Sequence, residues 1–120
     1  MSIPVRRNLI TEDTLLAVGD HYTPTFGMVE KVTMTYFLKA ETGATPGSIS
    51  LTLEGRLPDG TWAQPGVDGD EGEILSTTSV GTGLNFFDRI AGMPYLETCR
   101  IKITVADEPV TINHLIVETA

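Results

Sequence analysis

The sequence predicts an all-β protein, an antiparallel β-sandwich or jelly roll of about seven to nine strands with little or no helix. Two runs near the end of the chain, 95–105 and 110–117, alternate apolar and polar residues and are joined by a turn at 106–109. Earlier runs are short, rich in β-forming residues and separated by Gly, Pro and Asp. No later segment has the helical periodicity that a parallel crossover would need, so an antiparallel arrangement is expected.

The closing hairpin gives the clearest pattern. Its first run places these residues on one face: Tyr95, Cys99, Ile101, Ile103 and Val105. In the second run, strict alternation assigns Val110, Ile112 and Ile116 to one face. Leu115 and Val117 then fall on the opposite face, which predicts a strand covered on both sides and makes these two residues candidates for a subunit contact.

The chain divides into an extended N-terminal arm, residues 1–12, and a single sandwich domain, residues 13–120. The arm carries Arg6 and Arg7, which could meet an acidic partner surface, and Leu9 and Ile10, which could anchor it. A partner subunit is therefore expected to hold the arm.

The segment 9–22 allows two interpretations. Thr11 could cap a short helix, with acidic residues in its first turn and Gly19 after its end. The alternative is a first strand over 14–18, which is preferred because an isolated short helix is marginal in water.

The middle of the chain predicts the remaining strands. They cover 28–40, 49–53, 73–77 and 84–89, and the dipeptide Asp59-Gly60 predicts a hairpin that carries Trp62. Phe86 and Phe87 point to opposite faces of their strand, so one ring needs a cover beyond its own sheet. Phe87 is for this reason a third candidate for a subunit contact.

Charge and cysteine content exclude several classes of protein. Eight basic and 16 acidic residues give a net charge of −8, which argues against binding nucleic acid or an anionic membrane. The acidity belongs mainly to residues 41–80, which hold one basic and seven acidic residues. Cys99 is the only cysteine, so no internal disulfide can form. No signal peptide is expected, because no apolar stretch follows the charges of residues 1–7, and no run approaches transmembrane length.

Catalytic signals are missing from the sequence. Only His21 and His114 are available as bases, and no nucleophile elbow, phosphate loop, dinucleotide fingerprint or zinc pattern is present. His114 is interpreted as a partly buried structural residue and His21 as a solvated loop residue. An enzyme would need two or more of His21, His114, Asp88 and Glu97 in one pocket. The chain is therefore expected not to be an enzyme and to need no cofactor.

The sequence contains two further candidate binding sites, one for calcium and one for carbohydrate. Asp68, Asp70, Glu71 and Glu73 alternate with glycines and could wrap a calcium ion, although the spacing is not that of an EF-hand and a solvated acidic loop is the preferred interpretation. In a carbohydrate-binding alternative, Trp62 or Tyr95 would stack on a sugar ring and the 68–73 carboxylates would bind hydroxyl groups or calcium.

The run 51–62, Leu-Thr-Leu-Glu-Gly-Arg-Leu-Pro-Asp-Gly-Thr-Trp, resembles a hairpin of small β-sandwich modules in tailed-phage virions. The ending, 100–105 and then 110–117, is similar to the closing hairpin of those modules and of galactose-binding-like sandwiches. This resemblance implies a capsid cement or decoration protein on the virion exterior, which binds the capsid protein lattice and assembles as a symmetric oligomer, expected to be a homotrimer. It carries over no ligand-binding residues. A tail or baseplate module is the neighbouring possibility.

Overall fold

Two antiparallel sheets face each other in the computed structural model, which describes residues 5–28, 33–64, 72–91 and 97–120, with the backbone alone for 84–91. These described residues form ten strands and no helix. The strands are β1 (Val5–Ile10), β2 (Thr14–Leu16), β3 (Gly19–Tyr22), β4 (Thr33–Glu41), β5 (Gly47–Arg56), β6 (Trp62–Ala63), β7 (Glu73–Val80), β8 (Leu84–Ala91), β9 (Cys99–Ala106) and β10 (Val110–Thr119).

The strand order is that of a jelly roll. In sheet A, β10 pairs on one side with β1 and then β2, and on the other side with β4, which pairs with β8. In sheet B, β9 lies between β3 and β5, and β5 pairs on its far side with β6 and β7. The ten strands thus fill eight positions, and the chain repeatedly crosses between the sheets as two Greek keys require. The predicted fold class is confirmed.

The core lies between the sheets and is apolar because each strand turns alternate residues inward. Sheet A contributes Met34, Tyr36, Leu38, Ala40, Val110, Ile112, Leu115 and Val117, all buried. Sheet B contributes Ile49, Leu51, Leu53, Cys99, Ile101, Ile103 and Val105, also buried. Each fully buried aliphatic side chain contributes about 1.5–3 kcal/mol to folding. The Tyr36 hydroxyl donates to the Ile74 carbonyl at 2.9 Å, so this buried phenol has an acceptor on the opposite sheet.

The N-terminal segment joins the sandwich of its own chain. Val5–Ile10, which lies within the predicted arm, is extended but pairs along β10 from Val5↔Thr119 to Ile10↔Leu115. Leu9 is buried and Ile10 packs against the core, so apolar burial explains why this segment becomes an edge strand. Thr14–Leu16 is a strand, which confirms the strand interpretation over the helix.

A β-bulge in β10 overturns one predicted face assignment. The pairing with β4 shifts register between Ile112 and His114, so two consecutive residues of β10 turn outward. Leu115 and Val117 therefore return to the inner face, where both are fully buried, and Ile116 lies outside. The face assignment that assumed strict alternation along β10 was wrong. Leu115 and Val117 belong to the core and offer no surface to a subunit.

We predict that Leu115→Ala costs about 2–5 kcal/mol of unfolding free energy, because it leaves a cavity in the core. Ile116→Ala removes the same number of carbon atoms one position along the strand and should cost clearly less, since its side chain is partly exposed. Urea denaturation of both variants measures the difference. Equal losses, or a greater loss for Ile116→Ala, would contradict the bulged register.

Candidate functional site

A stacked arginine on the outer face of sheet B forms the most distinctive surface feature of the described chain. The guanidinium carbon of Arg100 lies 3.9 Å from the ring centroid of Tyr22 and 4.1 Å from that of Trp62. Arg100 Nε donates to Glu54 Oε1 at 2.8 Å. We call Tyr22, Glu54, Trp62 and Arg100 the Arg100 cluster. Its two rings come from strands on opposite sides of β9, so the guanidinium lies between them.

The β5–β6 hairpin places Trp62 in this cluster. Asp59 Oδ1 accepts hydrogen bonds from the Thr61 amide at 3.0 Å and the Thr61 hydroxyl at 2.7 Å, and these bonds lower the pKa of the Asp59 carboxyl. Gly60 adopts a φ of 91°, which a glycine tolerates without strain. The turn therefore closes as predicted and sets Trp62 opposite Arg56 at the end of β5.

Tyr22 is positioned by the way β3 ends. After Tyr22 the chain still follows β9, because the Thr23 amide donates to the Ile101 carbonyl at 3.0 Å. The Thr23 hydroxyl accepts from the Ile101 amide at 3.0 Å and takes the place of a backbone carbonyl just before Pro24. Phe26 then bridges Cys99 through two backbone hydrogen bonds. These contacts fix the Tyr22 ring beside β9.

Arg100 and Glu54 are directly opposite in the β9–β5 register, which explains their ion pair. Their side chains keep 21% and 11% of their exposure, so the pair is better shielded from water than an ordinary surface pair. The terminal nitrogens of Arg100 have no acceptor in the described part of the chain. Every buried side-chain nitrogen among the described residues has a hydrogen-bond partner. Since the terminal nitrogens of Arg100 have none, they are not buried and reach solvent. The cluster thus presents free N–H donors on a side chain held in place from both sides.

Further basic residues surround the cluster. Arg56 follows Glu54 on the same face of β5, and Lys102 follows Arg100 on the same face of β9. Arg56, Arg100 and Lys102 are three of the eight basic residues in a chain of net charge −8. Glu73, opposite Thr52, is the acid that β7 contributes to this face, and Asp20 on β3 lies opposite Thr104 and accepts a hydrogen bond from its hydroxyl. With Glu54, three acids therefore balance the three basic residues on this face.

The predicted binding residues have mixed outcomes. Trp62 lies in the Arg100 cluster, with one ring face against the guanidinium. Tyr95 lies outside the described residues, as do Asp68, Asp70 and Glu71 of the proposed calcium loop. Glu73 is exposed at the start of β7. Among the described residues, no three acidic, His or Cys side chains group closely enough to hold a metal ion.

The remaining candidates for a partner contact lie in sheet A. Arg6 pairs with Glu118 of its own chain at 2.7 Å, and Arg7 is exposed. Leu9 is in the core. For Phe87, the described backbone pairs with Phe37 of β4.

Two exposed aliphatic residues that were not predicted as sites lie three positions apart in the sequence. Leu15 and Val18 are 71% and 56% exposed. Leu15 lies on β2, which like β1 pairs with β10 alone and leaves its outer backbone edge open among the described strands. We call β1, β2, Leu15 and Val18 the N-terminal edge. Alternation alone missed Leu15, because a three-residue strand carries too little pattern to assign its faces.

The two histidines lie in different sheets. His21, predicted in a loop, is in β3 and its Nε2 donates to the Ala17 carbonyl at 2.7 Å. His114 is in β10 at the bulge and is half-buried.

Cys99 is a free, buried thiol, and burial raises its pKa to about 12. Within the described ranges, no helix is long and apolar enough to cross a membrane.

Comparison with solved structures finds this fold in proteins of several kinds. A chain in the structure of infectious bursal disease virus Gx strain matches with a TM-score of 0.60 and 9% identity over 98% of this chain. The CBM36-1 domain of a multidomain xylanase, from the hindgut metagenome of Trinervitermes trinervoides, matches with a TM-score of 0.54 and 8% identity over 96% of this chain. The CBM22-1 xylan-binding domain from Paenibacillus barcinonensis matches with a TM-score of 0.55 and 8% identity over 95% of this chain.

The lengths of these matches differ. This chain spans 33% of the viral chain, but 96% of the CBM36-1 chain and 85% of the CBM22-1 chain. At such identities the likeness shows a shared fold, and function has to be argued from the surface. Neither the protein-family models nor the curated protein sequences contain a match to this chain.

We predict that Cys99 makes stability fall in alkaline solution. Its thiol ionises near pH 9.0 when unfolded and near pH 12 when folded, so between these values the unfolded state has lost a proton that the native state keeps. The unfolding free energy should drop by about 1.4 kcal/mol per pH unit in this range. Urea denaturation from pH 8 to 11 measures the slope. Cys99→Ala is the control, and an identical slope in that variant would contradict the assignment.

Proposed function

We propose that this chain is a non-enzymatic structural protein of a virion, of the capsid cement or decoration type. In this role it binds the capsid protein lattice from the outside and associates with its own copies as a symmetric oligomer. The observation that carries the proposal is the N-terminal edge, where exposed Leu15 and Val18 adjoin the open backbone of β1 and β2. An edge strand with exposed apolar residues is a template for contact with another chain unless it is covered.

Two further features support this role. A chain of infectious bursal disease virus shares the fold, so the jelly roll is compatible with a place in a viral particle. The net charge of −8 suits an outward-facing protein better than one that lines packaged nucleic acid, which would need basic residues to meet the phosphates.

A double substitution of the N-terminal edge, Leu15→Asp with Val18→Asp, should weaken self-association and particle binding at least about tenfold, because apolar contact is replaced by two buried charges. The fold should persist, since both side chains already face solvent. Light scattering gives the oligomeric mass, and co-sedimentation with particles of the capsid protein from the same genome gives the binding.

Leu57→Asp is the matched control, since Leu57 is an exposed leucine outside the N-terminal edge. It should leave both measurements unchanged. A wild-type protein that stays monomeric and does not sediment with the particles would refute the proposal. So would a double variant that associates as the wild type does.

A second candidate function is carbohydrate binding, and the Arg100 cluster is the observation that favours it. Half-exposed Tyr22 and partly exposed Trp62 offer ring surface beside hydrogen-bonding groups, which is the combination that sugar sites use. Two carbohydrate-binding modules share the fold over nearly their whole length.

A glycan array, with and without a chelator, tests the second function and its possible dependence on calcium. If the chain binds carbohydrate at the cluster, Trp62→Ala should reduce glycan retention at least about tenfold, since one aromatic platform contributes about 1–2 kcal/mol. Leu57→Ala should leave retention unchanged. Retention that survives Trp62→Ala would place the sugar elsewhere, and an empty array would rule out this function for the glycans present.

A further inference from the structure

We propose that the Arg100 cluster binds the carboxylate of an acidic sugar residue, such as a uronate unit of a polysaccharide. This inference rests on the second candidate function and adds the chemical class of the ligand. Its basis is the combination of a stacked guanidinium, terminal donors without an acceptor among the described residues, and half-exposed aromatic surface beside them.

The guanidinium is preorganised for an anion. Tyr22 and Trp62 cover its two faces and Glu54 accepts from Nε, so the plane of the group is fixed by three partners. What remains is the edge formed by the two terminal nitrogens, whose N–H groups are solvent-accessible and have no acceptor among the described residues. This edge matches the two oxygens of a carboxylate in a bidentate pair. A fixed side chain loses little further rotamer entropy on binding, so more of the hydrogen-bond energy becomes affinity.

The local charge is more favourable to a negative ligand than the net charge of the chain. Arg56 and Lys102 flank Arg100, so three basic residues offset the acids Asp20, Glu54 and Glu73 on this face. At physiological ionic strength the screening length is about 8 Å, so acids far from this face contribute little repulsion. The recognition of an anion therefore depends on the donors of Arg100 and not on a basic field.

The aromatic rings favour a sugar over an acidic peptide. Tyr22 stays half-exposed although the guanidinium stacks on its ring, so aromatic surface remains available close to Arg100. A pyranose presents C–H groups on one face and can lie on such a ring while its carboxylate meets Arg100. An acidic peptide would use the charge alone and gain little from the ring.

Binding of four polymers to the full-length chain tests the inference, with the emission of Trp62, the only tryptophan, as the readout. Polygalacturonate supplies the carboxylate, its methyl-esterified form keeps the sugar ring and removes the charge, and neutral xylan represents an uncharged polysaccharide. Poly-L-glutamate supplies the same charge on a peptide. We expect polygalacturonate to bind at least tenfold more tightly than the other three.

Arg100→Lys is the informative variant, because it keeps a positive charge beside Glu54 but loses the planar, two-pronged edge. It should weaken polygalacturonate binding at least tenfold, whereas Lys102→Gln, which removes a nearby charge outside the stack, should weaken it less than threefold. Thermal unfolding of each variant confirms that it is folded. If Arg100→Lys does not fold, Trp62→Phe with Tyr22→Ala serves instead, read by isothermal calorimetry, and the same loss is expected.

The outcomes separate this inference from the function on which it rests. Binding of xylan and of both galacturonate forms with equal affinity keeps the carbohydrate function and refutes the carboxylate site. Equal binding of poly-L-glutamate and polygalacturonate shows general anion binding and also refutes it. No binding to any polysaccharide refutes both. Full affinity in Arg100→Lys would mean that the stacked guanidinium does not recognise the carboxylate.

Discussion

The pairing of β9 with β5 is the constraint on which both the core and the candidate site depend. It runs without a bulge from Ser48↔Ala106 to Gly55↔Cys99, so every residue keeps its face along the whole pair. One face supplies the sheet B half of the core, and the other brings Arg100 opposite Glu54. A slip by one residue would expose the apolar set and separate this ion pair. The same hydrogen-bond ladder therefore stabilises the fold and places the charged groups of the site.

The two surfaces to which a function is proposed lie on different sheets. The N-terminal edge belongs to sheet A and offers exposed aliphatic side chains beside open backbone groups, whereas the Arg100 cluster belongs to sheet B and offers aromatic rings and a guanidinium. Apolar edges suit contact with protein, and a stacked arginine with exposed donors suits a small polar group. A jelly roll can hold both, because its outer faces and edges are not needed for the core. The structural and carbohydrate-binding proposals are thus independent at the level of residues.

Sequence patterning succeeded where alternation was unbroken and the turn residues were specific. The apolar faces of β5 and β9, the Asp59-Gly60 hairpin and the strand in 14–18 were all predicted. Patterning failed at β10, because a bulge changes which residues face inward without leaving a clear signature in the sequence. It also missed Arg100 as a site residue. Alternation along β9 turns Arg100 outward, but nothing local indicates which distant rings will cover it.

The sequence by itself determined the fold class. Period-2 alternation with frequent turn residues predicts short antiparallel strands, and packing two sheets of such strands together buries their apolar faces. Only the tertiary structure decided the site. Tyr22, Glu54, Trp62 and Arg100 come from four strands, and their contacts depend on strand order and register, which arise from long-range packing. It also decided that Leu115 and Val117 are core residues and that Val5–Ile10 is an edge strand. The physical reason is that alternation gives a residue's face within its strand, while neighbours across strands are set by the fold as a whole.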